Sequence, residues 1–157
     1  MTKLMHLALP FALALVAAAP QAHADQPGKH PAYLHALTDL RNARWNLQHR
    51  KGDAEVRWDE AKAVGDVDAA IRKIKEAAID DGKNLDDHPA LDAKQDYSGR
   101  LHHALESLRA AHEDLNKEED NDYAKGLKHR ALLDVDAAMN RTREALCNAG
   151  DKALCKG

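Results

Sequence analysis

Residues 66–70 read Asp66-Val67-Asp68-Ala69-Ala70, and 68 positions further on the chain reads Asp134-Val135-Asp136-Ala137-Ala138. The same offset holds outward in both directions. His35-Ala36-Leu37 falls on His103-Ala104-Leu105, Leu40-Arg41 on Leu108-Arg109, Ala43 on Ala111 and Leu47 on Leu115. Glu76-Ala77 falls on Glu144-Ala145, and Gly82 on Gly150. About 16 of the 50 positions aligned between 33–82 and 101–150 are identical, without a gap. A repeated unit of two helical patterns is a repeated helical hairpin. Two hairpins predict an all-α fold, an antiparallel up-down-up-down four-helix bundle.

The apolar spacing places the helices. Leu37, Leu40 and Leu47, with Ala36 and Ala43 beside them, form a stripe over about 32–50, opened by His30-Pro31. Gly52-Asp53 breaks it, and Asp53 suits the cap of a second helix over about 54–81. That helix carries a seam of Val64, Val67, Ile71, Ile74 and Ala78, spaced 3, 4, 3, 4, and Gly82 is its stop. A third helix over about 98–119 holds Leu101, Ala104, Leu105, Leu108, Ala111 and Leu115. The fourth, over about 122–147, has the seam Leu132, Val135, Met139, Thr142 and Leu146, in register with the second. The connections near 51–53 and 120–121 are short, so each hairpin is antiparallel. The second helix is longer than the first, so its excess end overhangs or the helix bends near Gly65. Alanine dominates the expected core. Small residues bury less apolar surface each, which predicts modest stability or support from a homodimer.

The ends bound the compartment. Lys3, the apolar run Leu7 to Ala19 and the box Ala22-His23-Ala24 read as an export signal cleaved after Ala24. The chain then divides into a leader (1–24), an N-terminal extension (25–31), a first hairpin (32–82), a linker (83–97), a second hairpin (98–150) and a tail (151–157). Residues 25–157 form a single domain, periplasmic or secreted, with no segment apolar enough to span a membrane. Losing Lys3 moves the net charge from −3 to −4. Mild acidity and five scattered rings exclude a nucleic-acid partner, which needs a basic face or a stacking platform. Cys147 and Cys155 sit in a compartment that permits a disulfide, and a turn at Gly150 would bring them together as a tail staple.

The chemistry-bearing residues point less clearly. Eight histidines remain after the leader: His30, His35, His49, His88, His102, His103, His112 and His129. The Glu-x-x-His pairs of di-iron bundles, Cys-x-x-Cys-His and His-x-x-x-His are all absent, so solvated surface histidines stand against a metal site at His102 and His103. Asp86-Asp87-His88 and Asp92 could hold calcium, but their spacing matches no EF-hand loop. Arg41 and Arg109, Asp68 and Asp136, and Asp66 and Asp134 persist in both repeats at the flanks of their helices. They read either as interhelical salt bridges that fix register or as a polar pocket for an anionic ligand, formed by Arg41, Asp68, Arg109 and Asp136. Trp45 and Trp58 would be a partner-binding patch if exposed together. No nucleophile elbow, phosphate loop or dinucleotide fingerprint is present.

The block His30-Pro31-Ala32-Tyr33-Leu34-His35-Ala36-Leu37-Thr38-Asp39-Leu40-Arg41-Asn42-Ala43-Arg44 resembles the opening of a family of small exported bacterial all-helical proteins, with the motif HPxYLxALxDLRxAR. Ala77-Ala78-Ile79-Asp80-Asp81-Gly82-Lys83 and Gly99-Arg100-Leu101-His102 are similar to its later pattern. The resemblance implies a periplasmic all-α domain and no particular activity; the cysteine pair falls outside the shared pattern. The expectation is an exported, non-enzymatic binding or interaction module without a cofactor, its partner a protein or a small molecule. The alternative is a histidine-based metal- or cofactor-binding bundle.

Overall fold

The computed structural model describes residues 32–49, 58–117 and 122–155, with Trp58 through its backbone alone. The expected leader, the two short turns and the start of the second helix before Trp58 lie outside those residues. Among the described residues four α-helices are present: α1 (Ala32–Gln48), α2 (Trp58–Asp80), α3 (Arg100–Lys117) and α4 (Asp122–Asn148). A 3₁₀ turn, Lys152–Cys155, follows. No helix among the described residues is long and apolar enough to cross a membrane.

The seams predicted from spacing are the core. Leu37, Leu40 and Leu47 of α1 meet Val67, Ile71 and Ile74 of α2, Leu101, Leu105, Leu108 and Leu115 of α3, and Val135, Met139 and Leu146 of α4 in one buried cluster. Each fully buried leucine contributes roughly 2 kcal/mol. Thr142 stands where α2 has Ile74, and its buried hydroxyl is satisfied by donating to the Ala138 carbonyl. The predicted stop, Gly82, and its repeat partner Gly150 share one geometry. Gly82 and Gly150 have positive φ, and the N–H groups of Lys83 and Asp151 reach back to the carbonyls of Ala78 and Leu146. These are paired Schellman ends, which need a residue free to adopt the left-handed region.

Around the bundle α1 touches α2 and α3, and α4 touches α2 and α3, so α1 and α4 are diagonal. Every neighbouring pair is antiparallel. Along α1 and α3, Asn42 meets Ser107 and the Asn46 carbonyl meets Arg100. Along α2 and α4, Asp59 meets Asn148, Asp66 meets Arg141 and Lys73 meets Asp134. The antiparallel four-helix bundle expected from the sequence is therefore present, but the order of directions along the chain is up, down, down, up. The strict up-down-up-down succession does not hold, because the linker does not return the chain at the end where α2 finished. Instead residues 83–99 climb the α1/α3 groove as a strap and begin α3 at the opposite end. A strap of that length can reach about 55 Å, against about 26 Å for the 17 residues of α1.

The flank charges lock this arrangement in matched pairs. Within the hairpins, Arg44 Nε lies 2.6 Å from Asp68 and His112 Nε2 lies 3.4 Å from Asp136. Between the hairpins, Arg141 Nε lies 2.6 Å from Asp66, and Lys73 pairs with Asp134. A shift of 68 turns Arg44–Asp68 into His112–Asp136 and exchanges Asp66–Arg141 with Asp134–Lys73. At the end where α3 begins, Arg100 donates to the Asn46 and Leu47 carbonyls and, at 2.8 Å, to the buried Glu60. One guanidinium thus closes the C-terminus of α1, whose last carbonyls have no intrahelical partner.

Candidate functional site

The seam between α1 and α3 is not wholly apolar. Asp39 lies on the stripe of Ala36, Leu40 and Ala43, and Asp114 lies beside Ala111 and Leu115. Helical phase therefore carries both acids inward. Asn46 and Ser107, the residues that a shift of 68 pairs with Asp114 and Asp39, are buried on the same seam. The Asn42 amide donates to Ser107 Oγ at 2.7 Å, and the Asn46 amide donates to the Asn42 carbonyl.

The strap closes over this polar band. The Ala93 N–H donates to Asp39 Oδ1 at 3.2 Å, and Glu106 Oε1 accepts the N–H groups of Asp96 and Tyr97. Arg41 donates to Nδ1 of His88 on the strap. The result is a group of three carboxylates, Asp39, Asp92 and Asp114, whose donor oxygens all lie within 4.8 Å of one another. Asp92 comes from the strap and is exposed; Asp39 and Asp114 are 0 % and 4 % exposed. Asp114 Oδ1 accepts from Lys117 Nζ at 3.2 Å. The other oxygen of each buried acid, Asp39 Oδ2 and Asp114 Oδ2, is enclosed and has no hydrogen-bond partner. His35 Nδ1 stands 3.0 Å from Asp92 Oδ2.

The electrostatics follow from this crowding. Burial pushes the Asp39 carboxyl up to about 7, and the neighbouring Asp114 and Asp92 charges push the same way, against the Ala93 hydrogen bond. Burial also raises Asp114, opposed by the hydrogen bond from Lys117, while Asp92 lies close enough to share a proton with it. The Lys117 ammonium is held above its ordinary range chiefly by its hydrogen bond to Asp114. Three carboxylates in such contact cannot all ionise freely; they hold protons or they hold a positively charged ligand. Among the described residues, this is the one group of three or more histidine, cysteine or acidic side chains arranged so that they could hold a metal ion.

The residues singled out from the sequence fall elsewhere or at the edge of this site. Arg41 and Asp68 have different partners, His88 and Arg44. Arg109 is exposed, on a groove of about 300 Å³ that Asp92, Tyr97 and Glu106 also line. Asp136 pairs with His112. His102 Nε2 meets Asp151 at 3.0 Å and its ring stacks on Tyr97; His103 is half-buried, and neither belongs to the carboxylate group. Cys147 and Cys155 form a disulfide with Cα atoms 5.1 Å apart, which closes the tail with Leu154 packed on the core. Trp45 is 56 % exposed and stacks on His49; the Trp58 side chain lies outside the described residues. Of the strap acids weighed for calcium, Asp92 joins the site, but its companions are helix residues rather than Asp86 or Asp87. Asp39 and Asp114 were missed. Their signal was an acid at core phase in an otherwise apolar stripe, a pattern that charge counting along the surface does not pick out.

Comparison with family models, with curated proteins and with solved structures finds no match to this chain.

Proposed function

We propose that this chain is an exported, non-enzymatic binding module, a duplicated helical hairpin whose ligand site lies beneath the strap at Asp39, Asp92 and Asp114. The observation that carries the reading is the pair of enclosed carboxyl oxygens, Asp39 Oδ2 and Asp114 Oδ2, without a donor. A bundle gains nothing in stability from such groups, since an ionisable carboxyl buried without full pairing is destabilising. Apolar residues at the same core positions would pack the seam without that cost, which points to a ligand as the reason for the acids. Export is supported by the leader pattern at 1–24, and the periplasm or the cell exterior is the compartment it addresses. The histidine-based alternative has less support, because His102 is already engaged by Asp151 and Tyr97.

Native mass spectrometry of untagged protein isolated from its own compartment tests the reading. The expected result is a chain beginning at Asp25 that carries an added mass, released when Asp39 is replaced by Asn. A bare chain, together with no stabilisation by any candidate small molecule or ion, overturns it.

A further inference from the structure

The geometry points to a hard divalent cation, of the calcium, magnesium or manganese class, bound by Asp39, Asp92 and Asp114 where the strap meets the α1/α3 seam. This rests on the reading of that site as a ligand site and names its ligand. Oxygen ligands at 2.3–2.6 Å from a calcium ion are separated by at most about 5 Å. The three donor oxygens, all within 4.8 Å of one another, fit inside one such coordination sphere. An acidic cluster alone would not carry the inference. The second observation is that Asp39 and Asp114, both more than nine-tenths buried, each keep one enclosed oxygen without a donor. Their other oxygens are occupied, by the Ala93 N–H and by Lys117 Nζ. Each buried acid thus keeps one oxygen that no N–H reaches, and either a proton or a cation would neutralise it.

The donor set selects the kind of ion. All three ligands are carboxylates, which suit hard cations; thiolates are absent, and the nearest imidazole, His35, faces Asp92 Oδ2 at 3.0 Å instead of standing among the donors. Three carboxylates leave room for waters in a six- to eight-coordinate shell. Asp92 also gives the site a mechanical role. It is the strap's own contribution, so the cation ties residues 83–99 to α1 and α3 and adds to the hold of Ala93 on Asp39.

The test is calorimetric titration of the purified, chelator-treated protein with CaCl2, MgCl2 and MnCl2, with NaCl of matched ionic strength as the blank and ZnCl2 as the soft-ion arm. The expected result is one cation per chain with a dissociation constant of about 10⁻⁴ M, in the range of extracellular calcium modules. The melting temperature should rise by several degrees at a hundredfold excess. Asp92→Asn, on the exposed strap, should weaken binding at least tenfold without lowering the melting temperature of the cation-free protein. Asp39→Asn should abolish binding, and Glu144→Gln, on the exposed face of α4, should bind as the parent does. No saturable heat with any of the three hard cations overturns the inference, as does undiminished binding in both the Asp39 and Asp92 variants, or preference for zinc. If no hard cation binds while protein from its own compartment still carries another mass that Asp39→Asn releases, the cation assignment fails and the binding module stands. If neither is found, both fail.

Discussion

Asp39 shows how one residue can carry a structural penalty that a change of pH would expose. Its carboxyl is raised to about 7 in the fold, chiefly by burial, and titrates near 3.9 in an unfolded chain. Between those values the folded protein binds the extra proton, so stability falls as pH rises from about 4 to about 7 and levels off above that. The slope is up to about 1.4 kcal/mol per pH unit for this group alone. Urea denaturation in the presence of a chelator at pH 5 and pH 8 should find the protein more stable at pH 5. Asp39→Asn should flatten the difference, and an unchanged slope in that variant would assign it to another group. The inward phase of Asp39 was legible, since it shares a stripe with Ala36 and Ala43. The meeting with Asp92 was not. It joins residues far apart in the chain through a strap whose path no periodicity records.

At the scale of helices, what was legible is what depends on spacing and on end chemistry. Apart from Val64 and Leu132, which pack partly buried at its edge, the 3-4-3-4 seams became the core of α2 and α4, and Gly82 and Gly150 became their stops. Partner choice was harder to read. The flank residues Arg41 and Asp68 read as bridging or pocket residues without a fixed pairing, and Asp68 pairs with Arg44, one turn on from Arg41. Residues three apart lie on neighbouring parts of a helix face, so phase alone does not choose between them. Flank pairs such as Arg44–Asp68 are partly exposed and contribute little each, under about 1 kcal/mol. Arg100 is different, because it joins the buried Glu60 to the last carbonyls of α1. Arg100→Ala should therefore lower stability by about 3 kcal/mol, several times the effect of Asp68→Ala. Chemical denaturation of the two variants checks the ranking, and equal losses would show that the Arg100 tie is not a centre of stability.

For the molecule as a whole, the repeat and the loop lengths were enough to read four antiparallel helices but not their directions. A long linker is compatible with a return at either end; only its bonds to Asp39, Glu106 and Arg41 show that it climbs the bundle. This makes its length a requirement. Replacing residues 84–98 with two Gly/Ser residues leaves a four-residue strap that reaches roughly 13 Å, short of the roughly 26 Å of α1. The shortened chain should lose the cooperative melt of the monomer or exchange hairpins with a second copy, and size-exclusion chromatography with circular dichroism distinguishes these outcomes from a tolerated deletion.

The crossover also gives the molecule polarity. With directions up, down, down, up, α1 begins at one pole of the bundle and α4 finishes at the other, beside the disulfide-closed turn. A simple alternation would have put both on the same side. Ala32 is therefore held apart from Cys155, which lies against Cys147, by at least the length of α1, roughly 26 Å for its 17 residues. The crossover in that sense keeps the two ends of the described chain at opposite poles of the bundle.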